Sequence, residues 1–476
     1  VTASGARATR VVLLVMVAVL IGAGLYVGVG QSRQYLANRN FHEIAIPAPT
    51  AVPADGKAAL SEVTAPPSAI AGPAANAPAP TPAGIKAALT GALAAAGLGP
   101  SVSAQVYDAS TGGVLLDQGA TDSVAPASTS KLLTAAALLT VHKASDRFVT
   151  RVLAGSTPGT VVLVGGGDPT LSAAPAGKPT EYAEAARISD LAAAVAKAAA
   201  GTPITQVLVD GSLFAGPETA LGWASDDAPS SYASPITSTM VDAGRDSPDS
   251  PNRSGTPDLA AGQALAAALP GGPAVSRGVA PAGAKVLGSV SSAPVGSLVE
   301  QMLSDSDNVI AEVLARQVAI ATHRPATFTD SAAAISATLA GLGINVGSGM
   351  KDGSGLSAQD RIPAGTLGQV LLKAVGPQQP QLRPIVAALS VAGWDGTLVE
   401  QGRFTGTSSN AAGVVRAKTG SLTGVSAIAG LVTDADGRML VFSFVADQVP
   451  GGDVNSPAAR DAFDAAVSTL AGCGCR

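Results

Sequence analysis

The sequence predicts an α+β fold in which one mixed domain draws strands from both of its ends, carries helices between them, and is interrupted by an inserted region. Three observations support this. Strand-like alternation appears at residues 102–118 and again at 413–447. Helical patterns lie between, at 129–143, 298–303 and 309–318. Residues 144–293 keep neither pattern for long and read as an accessory region with its own small core and a flexible part.

Composition bounds the rest. A chain of 476 residues is too long for one small core, and its 47% hydrophobic content suffices for two or three compact units. With 55 Gly and 33 Pro, turns must be frequent or one stretch must lack regular structure. The net charge of −5 carries no basic block, which argues against nucleic acid as a partner. The two cysteines, Cys473 and Cys475, exclude a disulfide framework; a bridge across one residue would be strained, so an exposed tail is expected. Three histidines and no Cys/His cluster argue against a zinc site, and nothing points to a cofactor.

From the N-terminus, residues 1–10 are short and include Arg7 and Arg10; residues 11–30 form an uncharged apolar run. About 20 such residues cross a bilayer as a helix, whereas a secretory h-region runs to about 7–15. The reading is an uncleaved anchor with residues 1–10 in the cytoplasm. The alternative is a cleaved signal, with Gly28 and Gly30 as small residues near the cut. Arg33 and Arg39 on the far side weaken the charge asymmetry. Either way, everything after residue 30 is exported. Residues 31–84 are a Pro/Ala-rich linker that cannot bury a core.

The folded part starts at Ile85 with a short helix over 85–96. Strands at 102–109 and 114–118 follow, joined by the turn Ser110-Thr111-Gly112-Gly113. Within the accessory region, 160–164 and 206–209 read as strands and 242–257 as a polar stretch. Strands at 425–433 and 439–447 are joined by Asp434-Ala435-Asp436-Gly437, a strong hairpin signal, and 457–470 is a closing helix.

Three motifs carry chemistry. Ser128-Thr129-Ser130-Lys131 opens a predicted helix, where a spacing of three sets Ser128 and Lys131 on one face. A serine hydroxyl needs a neighbour to take its proton, and a lysine with a depressed pKa can do so. Taken alone, the motif is more often a helix cap. Ser306-Asp307-Asn308 offers a second hydroxyl for proton relay and an amide to orient a substrate, though these residues also favour caps. Ser250-Pro251-Asn252 and Ser408-Ser409-Asn410 match the same loose pattern, but no apolar helix follows either, and both are discounted. Lys418-Thr419-Gly420 ends a predicted strand. There the lysine and threonine could hold a carboxylate, and the glycine would let substrate lie against the strand edge.

The three motifs in this order are the signature of class A β-lactamases and penicillin-binding proteins. The chain resembles a D-alanyl-D-alanine carboxypeptidase/endopeptidase of the low-molecular-mass class C penicillin-binding proteins, the peptidase S13 family. Gly165-Gly166-Gly167-Asp168-Pro169-Thr170-Leu171, Leu208-Val209-Asp210-Gly211-Ser212 and Asp352-Gly353-Ser354-Gly355-Leu356-Ser357 extend that resemblance. It implies a penicillin-binding transpeptidase-like domain over 85–143 and 294–476, a helical cluster against a five-stranded antiparallel sheet, with 144–293 inserted. It also implies catalytic Ser128, Lys131, Ser306, Asn308 and Lys418, with Thr419, Gly420 and Ser421 binding substrate. Ser128 and Ser421 would supply the oxyanion N–H groups. The implied partners are peptidoglycan stem peptides as substrate and β-lactams as covalent inhibitors.

Two other readings compete. A β-lactamase or esterase on this scaffold would need a glutamate to activate the deacylating water. Between Asn308 and Lys418 there are Glu312, on the helix after Ser306, and Glu400, which lacks a Glu-x-x-Leu-Asn setting. A non-catalytic peptidoglycan-binding protein would have no need of intact Ser128, Lys131, Ser306 and Lys418. Asp352-Gly353-Ser354-Gly355 reads equally as a cleft rim or as a turn chosen for its glycines.

Overall fold

A computed structural model describes residues 77–247 and 250–476. The apolar run 11–30 and nearly all of the linker expected at 31–84 lie outside the described residues. Among the described residues, no helix is long and apolar enough to cross a membrane. The first helix among the described residues begins inside the expected linker: α1 is Pro82–Leu93, with Thr81 as N-cap accepting from Gly84 N at 3.0 Å. Thr-Pro is itself a helix start, because the cap satisfies an orphan N–H and proline at N1 has none to satisfy.

Strands β1 (Val102–Asp108) and β2 (Val114–Gln118) form the early hairpin. The short β3 (Ser123–Val124) leads to a 3-10 turn, Ala127–Ser130, that runs into helix α2, Lys131–Val141. In the accessory region come β4 (Val149–Ala154), β5 (Thr160–Val164), α3 (Ile188–Ala199), β6 (Gln206–Asp210), α4 (Pro257–Ala268), β7 (Ala274–Arg277) and β8 (Val286–Ser291). Five helices follow: α5 (Val295–Ser304), α6 (Asn308–Ala321), α7 (Phe328–Gly341), α8 (Gly365–Val375) and α9 (Arg383–Ala388). Between α7 and α8 lies β9 (Ile362–Pro363, paired with β3), and after α9 come β10 (Ser390–Val391), β11 (Val415–Leu422), β12 (Val425–Thr433), β13 (Met439–Ala446) and α10 (Pro457–Ala471).

The main sheet is antiparallel with the order β10-β11-β12-β13-β1-β2. It has six strands rather than the five expected; the extra one is the two-residue β10, too short to leave an alternating pattern. Both faces are covered, which is why β12 and β13 read as almost continuous apolar runs. Ile428, Val432, Phe442 and Phe444 face α1 and α10, while Ala427, Ala429, Val441 and Val445 face the helical cluster. At the centre of that cluster, α2 and α6 are buried nearly all round.

The accessory strands make a second, mixed sheet, β7-β6-β5-β4-β8, whose β5, β6 and β7 run parallel with α3 and α4 as crossovers. Its core includes Val152, Leu163, Leu191, Val207 and Leu265. Residues after β6 leave that core and pack on the helical cluster instead, through Ala220, Ala233, Ile236 and Met240. The polar stretch 242–257 is not simply loose: Asp242, Ala243 and Gly244 are buried, and so is Arg253, whose charge is taken up by a buried carboxylate described below. The C-terminal tail departs from expectation too. Cys473 and Cys475 are disulfide-bonded, and the Cys475 carbonyl accepts Thr81 N at 2.8 Å, so the tail is docked on the start of α1.

Phe463 of α10 closes the outer face of the sheet, with its ring centroid 6.0 Å from Phe444, which lies 5.3 Å from Phe442. Phe463→Ala is expected to lower stability by about 3–5 kcal/mol through lost burial plus a residual cavity. Urea unfolding curves of the parent and variant measure the difference.

Candidate active site

The 3-10 turn before α2 aims Ser128 at solvent while Lys131, at the start of the helix proper, is fully buried beneath it. Lys131 Nζ lies 2.8 Å from Ser128 Oγ, 2.6 Å from Asn308 Oδ1 and 2.8 Å from the Ser354 carbonyl oxygen. Asn308 is held by its other end, since Nδ2 donates to the Tyr232 carbonyl at 3.1 Å, and this fixes which amide atom faces the lysine. Burial pushes the Lys131 amine down to about 8, against the pull of the Asp352, Glu312 and Asp307 carboxylates.

The turn is tied down from two sides. A Cβ at Gly355 would collide with the Ala127 carbonyl, and a Cβ at Gly420 would sit 2.9 Å from the Pro126 oxygen and 3.1 Å from Ser128 N. Gly420 therefore serves the close approach of β11 to the Ser128 turn, not only the passage of substrate. Lys418-Thr419-Gly420 also lies inside β11 rather than at its end, with Lys418 opposite Ala429 and Gly420 opposite Ala427. Ala127 has φ 47°, a left-handed conformation that a non-glycine residue holds only when its surroundings impose it.

Ser306 has the same feature, φ 57°. The residue after it explains why. Asp307 is buried and caps α6, accepting Ile310 N at 3.0 Å through Oδ1. Its Oδ2 accepts Tyr182 Oη at 2.9 Å and the Arg253 guanidinium at 2.8 Å, with Arg245 3.8 Å away. Burial works against this carboxylate, but the two arginines outweigh it and hold its pKa far below the usual range. The middle residue of Ser306-Asp307-Asn308 thus anchors the motif to the accessory region, and its neighbours face outward.

Ser128, Ser306, Asn308, Thr419 and Ser421 line one cleft of about 600 Å³. Lys418 lies buried below it, its Nζ donating to the Thr419 carbonyl at 2.9 Å. Burial, then the charge of Lys131, depresses its pKa well below the ordinary lysine value. Strand β10 pairs only with Arg416 and Ala417, leaving the β11 edge from Thr419 onward facing the cleft. Every residue assigned from the three motifs is therefore at or directly beneath this cleft. The discounted look-alikes do not line it: Asn410 bonds Ser468 of α10, and Ser250 and Asn252 bond each other in a loop.

Sequence reasoning missed several contributors. Thr397 shares a 2.7 Å hydroxyl contact with Thr419; if Thr397 donates, the Thr419 hydrogen is left for a ligand. Asp226, Asp227 and Tyr232 also line the cleft. The Asp352–Ser357 loop is a buried brace that reaches the cleft through Leu356. Asp352 accepts Gly355 N, Ser357 N and Trp223 Nε1, each within 2.7–2.8 Å. Trp223, one of two tryptophans in the chain, was the available signal for this contact.

The D-Ala-D-Ala carboxypeptidase 3 (S13) family model matches residues 85–260 and 252–470. A carboxypeptidase of Mycobacterium tuberculosis is 43% identical over 402 residues, covering 83% of this chain and 85% of that protein. The carboxypeptidase DacB of Mycolicibacterium smegmatis is 44% identical over 407 residues, covering 84% and 86%. Among solved structures, penicillin binding protein 4 (dacB) from Haemophilus influenzae superposes with a TM-score of 0.65 at 22% identity, covering 81% of this chain and 98% of that one. With its three motifs gathered on one cleft and these relatives spanning the folded part, the chain belongs to the D-Ala-D-Ala carboxypeptidase S13 family.

Proposed function

We propose that the chain is a penicillin-sensitive serine D-Ala-D-Ala carboxypeptidase acting on peptidoglycan stem peptides through an acyl-enzyme on Ser128. The observation that carries this is the 2.8 Å contact between Ser128 Oγ and a buried Lys131 amine, inside a cleft lined by Ser306, Asn308 and Thr419. Neutral Lys131 takes the Ser128 proton as Oγ attacks the carbonyl between two D-alanines. The oxyanion is held by the backbone N–H groups of Ser128 and Ser421. Collapse breaks the C–N bond, and Ser306 passes a proton to the leaving D-alanine nitrogen. Lys418 and Thr419 hold the terminal carboxylate, a charge that favours the protonated form of Lys418. Asn308 orients both Lys131 and the peptide. Water then releases the acyl group and regenerates Ser128.

Endopeptidase action on cross-linked peptides uses the same steps with a larger leaving group, and the open β11 edge favours room for one. Glu400 lines the cleft but is solvent-exposed on a 3-10 turn, so it is not placed to drive rapid deacylation of a penicilloyl adduct. Because peptidoglycan lies outside the cytoplasmic membrane, this reading requires export, and the run 11–30 supports an anchor that keeps the catalytic part outside. Recovery of the full chain in washed membranes, not in the medium, is expected; the reverse would mean a cleaved signal.

Fluorescent penicillin is expected to label the parent protein durably and to leave Ser128→Ala unlabelled. D-Alanine release from pentapeptide should fall by about 10⁴ or more in that variant. Labelling of the variant at the parental rate would remove Ser128 as nucleophile. The acylation rate should also depend on pH with a definite sign. Lys131 acts only when neutral, and burial sets its pKa at about 8. The rate therefore rises with pH through about 8 and changes roughly tenfold per unit below it. Stopped-flow acylation at a series of pH values reads this limb.

A further inference from the structure

The three partners of Lys131 differ in what they can offer. The Asn308 Oδ1 and Ser354 carbonyl oxygens only accept, at 2.6 and 2.8 Å, while Ser128 Oγ carries a hydrogen of its own. A neutral amine has two N–H bonds and one lone pair. With both N–H bonds taken by the two carbonyl oxygens, the lone pair is left facing the Ser128 hydroxyl. The general base is thus aimed by its two acceptors, and its aim is only as good as their placement.

Asn308 is fixed by helix α6. Ser354 belongs to no helix or strand, so its carbonyl needs another anchor. That anchor is Glu312, one turn beyond Asn308 on α6 and buried. Its carboxylate accepts Gly353 N at 3.0 Å through each oxygen and Ser354 N at 2.7 Å. The helix face that presents Asn308 thereby also fixes the peptide that presents the Ser354 carbonyl. Arg316, a further turn along, does not take the carboxylate in hand: it lies over the Phe328 ring at 4.0 Å, and its guanidinium nitrogens make no hydrogen bond among the described residues. The oxygens of Glu312 are spent on the brace loop instead.

We propose that Glu312 is a positioning residue for the general base, fixing the Gly353-Ser354 backbone so that the Lys131 lone pair points at Ser128. This rests on the reading of Lys131 as the base. Beyond orientation, Glu312 also bears on the proton affinity of Lys131. The charged groups facing Lys131 are Asp307 and Glu312 from α6, Asp352 from the brace loop and Lys418 from β11. Those facing Glu312 itself are Lys131, Asp352, Asp360 and Arg316.

Two variants test the proposal, Glu312→Gln and Glu312→Asp, each compared with the parent for thermal unfolding and for the pH-dependent rate of acylation by fluorescent penicillin. Glu312→Gln should acylate on the order of 10²-fold more slowly, the scale of a small misplacement of a reacting group. Burial and then the Asp352 charge push Glu312 itself up to about 8, so it is ionised only on the upper part of the rising limb, and its loss should move that upper part alone to lower pH. Glu312→Asp keeps a titratable carboxyl but falls one methylene short of the loop, so it should slow acylation without moving the limb. A folded Glu312→Gln with the parental rate and limb overturns the proposal. So does a variant of either kind that is only less stable, with an unchanged rate per folded molecule. If Glu312→Gln does not fold, parental acylation by Glu312→Asp overturns it. A parent that takes no label overturns the Ser128 reading, and this inference with it; labelling of the parent with normal Glu312 variants overturns this inference alone.

Discussion

A lysine amine sealed inside the protein is the constraint around which the catalytic half is built. Removing an ammonium from water is expensive, and the group survives there by shedding its proton or by finding partners for every N–H. Lys131 does both: its proton is loosely held, and three oxygens surround its nitrogen. Satisfying those demands recruits residues from three distant parts of the chain. Helix α2 must be buried to bury the lysine, α6 must cross it to deliver Asn308, and the brace loop must fold under both to deliver a backbone carbonyl.

The other wall of the cleft follows from the sheet. Strand β11 reaches the Ser128 turn because Gly420 has no side chain to hold it off, and it brings Lys418 and Thr419 along. The two strands that flank the β11–β12 hairpin on the core side, β13 and β1, come from opposite ends of the folded part. The Ser128 turn follows β1 by only a short stretch, so closing the sheet is what carries Ser128 to β11. Fold and site are in this sense one event: the strand order that buries Phe442 and Phe444 also brings the first and third motifs together.

Much of this was legible in the sequence. The hairpin at Asp434–Gly437, the two buried helices and the three motifs each left a local pattern, of turn residues, of periodicity, or of chemistry at a fixed spacing. What was not legible depends on contacts across the fold. Gly420 looked like the end of a strand because a glycine alone cannot reveal that another backbone approaches it. Glu312 could be placed only on the helix after Ser306, and nothing nearby in sequence announces that its partners are the amides of Gly353 and Ser354. Arg253 sat in a stretch rich in Pro, Ser and Asp, a composition that usually stays solvated; its burial follows from Asp307, more than fifty positions later. The docking of Cys475 on Thr81 was hidden for the same reason.

Asp307 has a bearing on how such a protein can be pared down. Its outer oxygen is held by Tyr182 and Arg253, both from the accessory region, and its inner oxygen holds the helix that carries Asn308. A minimal enzyme made by joining residue 143 directly to residue 294 would therefore lose more than a lobe. It would take away every partner of the outer oxygen of Asp307 at the hinge of the second motif, and Ser306 would be free to leave its left-handed conformation. Miniaturisation would have to supply a replacement cation, or retire the charge while keeping the cap. The accessory region is to that extent a structural cofactor of the catalytic domain, supplied in the same polypeptide.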